Sequence, residues 1–204
     1  MSSRCITTCN ACCIALLAAA SAISSGLKEG DVAALNIGDH TELTLVTAGG
    51  WVRFSVGKDW KVPQMDTKET IKTAWFQIPN RADRGESNSA SLSVTLYEIN
   101  SYEASDAFRM THLAAAIGAR SRFEEWEVFA EQGKQDKGDY AMRTAFRDVA
   151  DVHVAVRLFW PHLPENPVNY DSDMEQIFHA VLKSVTGDVG AYQGRTGEVT
   201  RRPN

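Results

Sequence analysis

From Thr41 onward, apolar and polar residues alternate in short runs, the two-residue period of strands with one buried face. Thr41 to Ala48 sets Leu43 and Leu45 against Glu42 and Thr44, and WVRFSVG sets Val52, Phe54 and Val56 against Trp51, Arg53 and Ser55. Gly49-Gly50 between these runs is a tight-hairpin signal, because glycine tolerates the positive φ such turns use. Ile71 to Ile78 reads as a strand stopped by Pro79. SLSVTLYEI is another, with Leu92, Val94 and Leu96 opposite Ser91, Ser93 and Thr95, and the polar NRADRGESNSA before it is a surface loop. Glu124 to Glu131, Tyr140 to Val149 and Val152 to Trp160 complete the strands, with a turn at Asp148 to Asp151.

Two segments change period. Tyr102 to Ile117 repeats Ala107, Met110, Ala114 and Ile117 at three and four, flanked by Phe108 and Leu113, and Gly118 follows. That spacing predicts a helix with an apolar stripe. Ser172-Asp173-Met174-Glu175 has the form of a capping box, and Met174, Ile177, Phe178, Val181, Leu182 and Val185 continue at helical spacing until Gly187. Residues 23–40 read as a linker, 41–187 as a single α/β domain and 188–204 as a flexible tail. The order β-β-β-β-α-β-β-β-α with hairpin-length connections predicts an α+β fold, an antiparallel β-sheet flanked by helices.

The first residues carry a different signal. Arg4, the apolar run Ala11 to Ala20 and the small-x-small site Ala20-Ser21-Ala22 have the form of a secretory signal peptide, residues 1–22, cleaved after Ala22. The run is short for a membrane span, so cleavage is expected over an uncleaved anchor, and after cleavage the chain is not an integral membrane protein. Cys5, Cys9, Cys12 and Cys13 all fall in this leader, with no His or acidic residue beside them to complete a metal site. The expected location is periplasmic or secreted. The whole chain has 204 residues and a net charge of −5, which argues against a nucleic-acid-binding role.

VRFSVGKDWKV, then SLSVTLYEI running into SYEASDAFRMTHLAAAI, then VRLFWPHLPENPVNYDSDMEQIFHAVLKSV resemble the opening, middle and closing segments of PsbP/Mog1-like domains. The resemblance covers roughly residues 41–185. It implies a three-layer α/β/α sandwich used for protein–protein work, without shared catalytic residues. The leader separates this chain from the cytosolic members.

The chemistry-bearing residues form no catalytic motif. H-E-x-x-H, G-x-S-x-G and a glycine-rich phosphate loop are absent, so no catalytic, metal or cofactor residue is assigned and no cofactor is expected. His112 and His179 read as surface or packing residues, and Asp171-Ser172-Asp173 as a helix start. A hydrolase reading requires a pocket that gathers His153 or His162 with a carboxylate. Glu125, Glu127 and Glu131 face Arg143, Arg147 and Arg157 on adjacent strands, either as a cross-strand charge ladder or as a recognition face. Pro161, Pro164 and Pro167 recur every third residue, the spacing of a polyproline-like loop.

Trp51, Trp75, Phe129 and Phe159 share the parity of the polar residues in their strands, opposite the aliphatic rows. Either a helix covers them as core, with partial exposure at the edges, which is the expectation, or they form an exposed apolar patch that marks a partner site. With His162 they are the candidate partner-binding residues. The expected function is an exported, non-enzymatic protein-binding module of the cell envelope, accessory or chaperone-like. The alternative is a periplasmic immunity protein that occludes a toxic effector.

Overall fold

The computed structural model describes residues 27–67, 69–79, 90–115, 120–135, 138–164 and 166–201. The expected leader, and residues 80–89 of the expected polar loop, lie outside them. In chain order the elements are β1 (Val32–Ile37), β2 (His40–Val46), β3 (Gly50–Gly57), β4 (Lys61–Asp66), β5 (Ile71–Ile78) and β6 (Ala90–Tyr97). A short 3-10 turn leads into α1 (Tyr102–Ala115). Then come β7 (Ser121–Phe123), β8 (Trp126–Gln135), β9 (Gly138–Val149), β10 (Val152–His162), α2 (Tyr170–Ser184), β11 (Thr186–Val189) and β12 (Val199–Arg201).

The fold is α+β and its strand pairs are antiparallel. One sheet runs β4-β5-β6-β10-β9-β8-β7 and a second β11-β3-β2-β1-β12. The alternation read from sequence sorts the seven-stranded sheet into two faces. Its aliphatic rows (Leu92, Val94 and Leu96; Val154, Val156 and Leu158) pack against the inner row of the second sheet and against Met174, Phe178, Val181 and Leu182 of α2. The face that carries α2 therefore also carries a sheet. The opposite face carries α1, whose Phe108 packs on Tyr97, Phe129, Phe146 and Ala155.

One charged node joins the parts. Lys72 of β5 is fully buried, with Nζ 2.6 Å from Glu98 Oε1 and donating to the Glu69 carbonyl at 2.9 Å. Glu98 Oε1 also accepts the Ala48 N–H (3.2 Å) from the β2–β3 connection. A buried ammonium persists only with such partners.

Several expectations are corrected. Residues 32–37, expected in the linker, are β1, and the expected tail carries the second half of β11 and all of β12. Tyr192 in that segment is buried against Trp51, with ring centroids 5.4 Å apart. These strands follow their partners more than any pattern of their own. β4 contains Pro63, which is tolerated because this is an edge strand whose register shifts between Lys61 and Gln64. The capping box does not form: α2 begins at Tyr170, one turn earlier in register, and Asn169 Nδ2 donates to Asp173 Oδ2 (3.0 Å). Gly50 is required by β11 rather than by a turn, since a Cβ there would lie 2.2 Å from the Asp188 carbonyl. Pro161 lies within β10, and Asn166 N–H donates to the Leu163 carbonyl (3.0 Å), so the proline segment turns instead of extending.

The stripe on α1 is also reversed over the described residues, outside which the expected Ile117 and Gly118 lie. Ser105 and His112 are buried with Phe108 half-buried, while Met110 and Leu113 are 56% and 43% exposed. The cause is polar pairing: Arg109 binds Glu127, and His112 Nδ1 contacts Glu131 Oε1, both partners on β8. The helix lies on the sheet through these pairs and Phe108, and its Met110 and Leu113 side faces outward.

Candidate partner-binding face

On the face that carries α1, side chains from neighbouring strands line up in rows set by the register. One row is Trp75, Ser93, Arg157, Thr144 and Phe129, across β5, β6, β10, β9 and β8. The next is Gln77, Ser91, Phe159, Met142 and Glu131. α1 crosses these rows diagonally. At its start Tyr102 stacks on His153 (centroids 3.7 Å) and donates its hydroxyl to the Asp151 carbonyl (2.7 Å). Near its end His112 meets Glu131 on β8.

The diagonal divides the four aromatics. Phe129 lies under the helix, 1% exposed, as the expectation of coverage requires. Trp75 and Phe159 lie in the corner that α1 leaves uncovered among the described residues, where both are half-buried. Trp51 belongs to the other sheet, where Tyr192 and Arg53 pack on it. His162 faces α2, with Nε2 3.1 Å from Asp171 Oδ1, an atom that also accepts the Trp160 indole N–H (2.8 Å). The five candidates therefore do not form one site, and only Trp75 and Phe159 share one.

That uncovered corner is a pocket of about 460 Å³, open to solvent. Ser91 and Ser93 form its floor because their side chains are too short to fill the space between the rings on β5 and β10. Trp75 stands on one side and Phe159 with Tyr140 on the other, the last two with centroids 5.2 Å apart. Tyr140 lies across Gly133, where a Cβ would be 2.6 Å from its hydroxyl. Met142 and Arg157 complete the lining. Trp75, Tyr140, Met142, Arg157 and Phe159 are all half-buried.

Arg157 sits where cover ends. Its guanidinium carbon lies 5.4 Å from the Phe108 ring centroid, a cation–π distance. Among the described residues it has no carboxylate partner. Burial pushes the nearby Tyr97 phenol above its ordinary value, and the positive charge of Arg157 opposes that rise. Thr144, beside Arg157 in the row, buries its hydroxyl without a hydrogen-bond partner among the described residues.

The expected arginine set does not act together. Arg143 and Arg147 lie on the α2 side, over Trp160 (5.3 Å) and Trp126 (4.9 Å), and pair with Glu175 (2.5 Å) and Glu125 (3.5 Å). Glu127 and Glu131 are taken by α1. Only the Arg147–Glu125 pair remains of the proposed ladder. His153 (3.6 Å from Asp148 Oδ1) and His162 both meet carboxylates, yet neither lines the pocket. Sequence reasoning missed Tyr140, Met142 and Arg157 as members of this site, although the strand parity of all three was legible. The missing information was that β10 pairs with both β6 and β9.

Among the described residues no three His, Cys, Asp or Glu side chains gather into a metal site, and no helix is long and apolar enough to cross a membrane. No protein-family model and no curated protein matches the chain. Among solved structures, the Saccharomyces cerevisiae Ran-binding protein Mog1p matches at 10% identity and TM-score 0.45, over 72% of this chain and 94% of that one. At that similarity neither the layer order nor a binding role passes between the two.

Proposed function

We propose that this chain is a non-enzymatic protein-binding module, exported to the cell envelope, that engages its partner through the open corner of the seven-stranded sheet. The observation that supports the reading is the Trp75–Phe159 pocket. Two large rings share a concave surface with an arginine, while rings of the same parity beside them are covered by α1. Aromatic and arginine side chains are enriched among the residues that dominate protein interfaces. Export rests on the form of residues 1–22, and intact mass of the chain from its own cells tests it. Processing after Ala22 is expected, and a full-length cytosolic chain contradicts it.

The binding test is photo-crosslinking in producing cells, with benzoylphenylalanine placed at position 75 or position 110. A partner captured at 75 and lost with Phe159→Ser supports the reading. Capture only at 110 moves the interface to the outward side of α1. If the captured partner is a toxin whose activity the chain suppresses, the role is immunity; otherwise the role is accessory or chaperone-like.

A further inference from the structure

We propose that the pocket recognises a carboxylate flanked by apolar side chains on the partner protein, with Arg157 as the residue that reads it. This rests on the proposed docking role of the pocket and names the chemistry of what docks there. The argument is charge complementarity in a pocket whose other lining residues are uncharged. Arg109 and Arg120 are matched to Glu127, Arg143 to Glu175, Arg147 to Glu125 and Arg195 to Glu42. Arg157 has an aromatic ring and short hydroxyl side chains around it instead, and among the described residues no carboxylate reaches it.

A half-buried guanidinium is incompletely hydrated, and a carboxylate can accept two of its N–H bonds in one plane. The rings define what must accompany that carboxylate. Trp75 lies one strand beyond Ser93, and Phe159 and Tyr140 lie along the adjacent rows, so a group bound at Arg157 has aromatic surface on two sides. An acidic residue between two apolar ones fills this arrangement. A nucleic acid does not, since the chain's net charge of −5 repels a polyanion and the pocket offers one cation.

The test pans a displayed library of random peptides against the full chain and measures the selected peptides by calorimetry. The expected peptides carry Asp or Glu beside apolar residues and lose binding to Trp75→Ser. Replacing their carboxylate by the amide, or Arg157 by Gln, weakens binding about tenfold, the scale of one charge-assisted hydrogen bond. Arg157→Lys retains part of the affinity. Should Arg157→Gln fail to fold, the acid-to-amide exchange in the peptide decides against the unaltered chain. Trp75-dependent peptides with no carboxylate, or an amide version that binds equally, overturn the anion and leave the docking surface standing. A library that yields no Trp75-dependent peptide overturns both.

Discussion

Phe129 and Trp75 stand in the same row of the same sheet face, and their surroundings are opposite. Phe129 meets Phe146 edge-on at 5.8 Å, beneath Phe108 of α1. Trp75 faces Ser93 and an open pocket. Period-two alternation places both rings on one face and says nothing about where a helix will end on it. The difference is set by two polar attachments of α1, His112 to Glu131 and Arg109 to Glu127, which draw its second half toward β8 and away from β5. Cover on this face is therefore decided by polar contacts, while the rings define which part of the uncovered surface is sticky.

The comparison is sharpened first by Phe129→Ala. Deleting a ring that is almost wholly buried should cost about 3–5 kcal/mol, read from denaturant unfolding. A loss below about 1 kcal/mol would mean α1 does not cover it. Next comes His112→Leu, which leaves the Glu131 carboxylate buried without its partner and should cost about 3 kcal/mol. The double variant His112→Leu/Glu131→Met should regain much of that loss, and a strictly additive pair would remove polar attachment as the reason for the helix's path.

Alkaline unfolding probes the boundary between the two halves. Burial raises the folded-state value of Tyr97 above the unfolded one, so the unfolded chain releases that proton first. Stability should be flat with respect to this group below about pH 10 and fall above it. Tyr97→Phe should flatten part of the fall, and an unchanged alkaline limb would show that the phenol does not feel its cover. The smallest effect on stability belongs to the open half, where Trp75→Ser should cost about 1 kcal/mol, a Tm shift of about 2–4 °C.

Much of the sheet was legible in the sequence because alternation is local: Leu92, Val94 and Leu96 oppose Ser91, Ser93 and Thr95 whatever lies above them. The Phe178 face of α2 was legible for the same reason. The terminal strands were not, because β1, β11 and β12 are defined by the strands they pair with. Nor was the orientation of α1. Its apolar positions announce a stripe, and the residues that reverse it, Glu127 and Glu131, lie on a strand whose distance from the helix no periodicity reports. The site was half legible. Parity singled out Trp75 and Phe159, while Arg157 and Tyr140 entered only through the pairing of β10 with β6 and β9.

The central claim is that the open corner binds and the covered corner folds. Its most direct test is calorimetric binding of the partner crosslinked at position 75 to the unaltered chain and to Trp75→Ser, with Tm measured on both. The account predicts at least about a tenfold loss of affinity while Tm moves by no more than about 4 °C. Unchanged affinity, or a fall in Tm as large as that of Phe129→Ala, would contradict it.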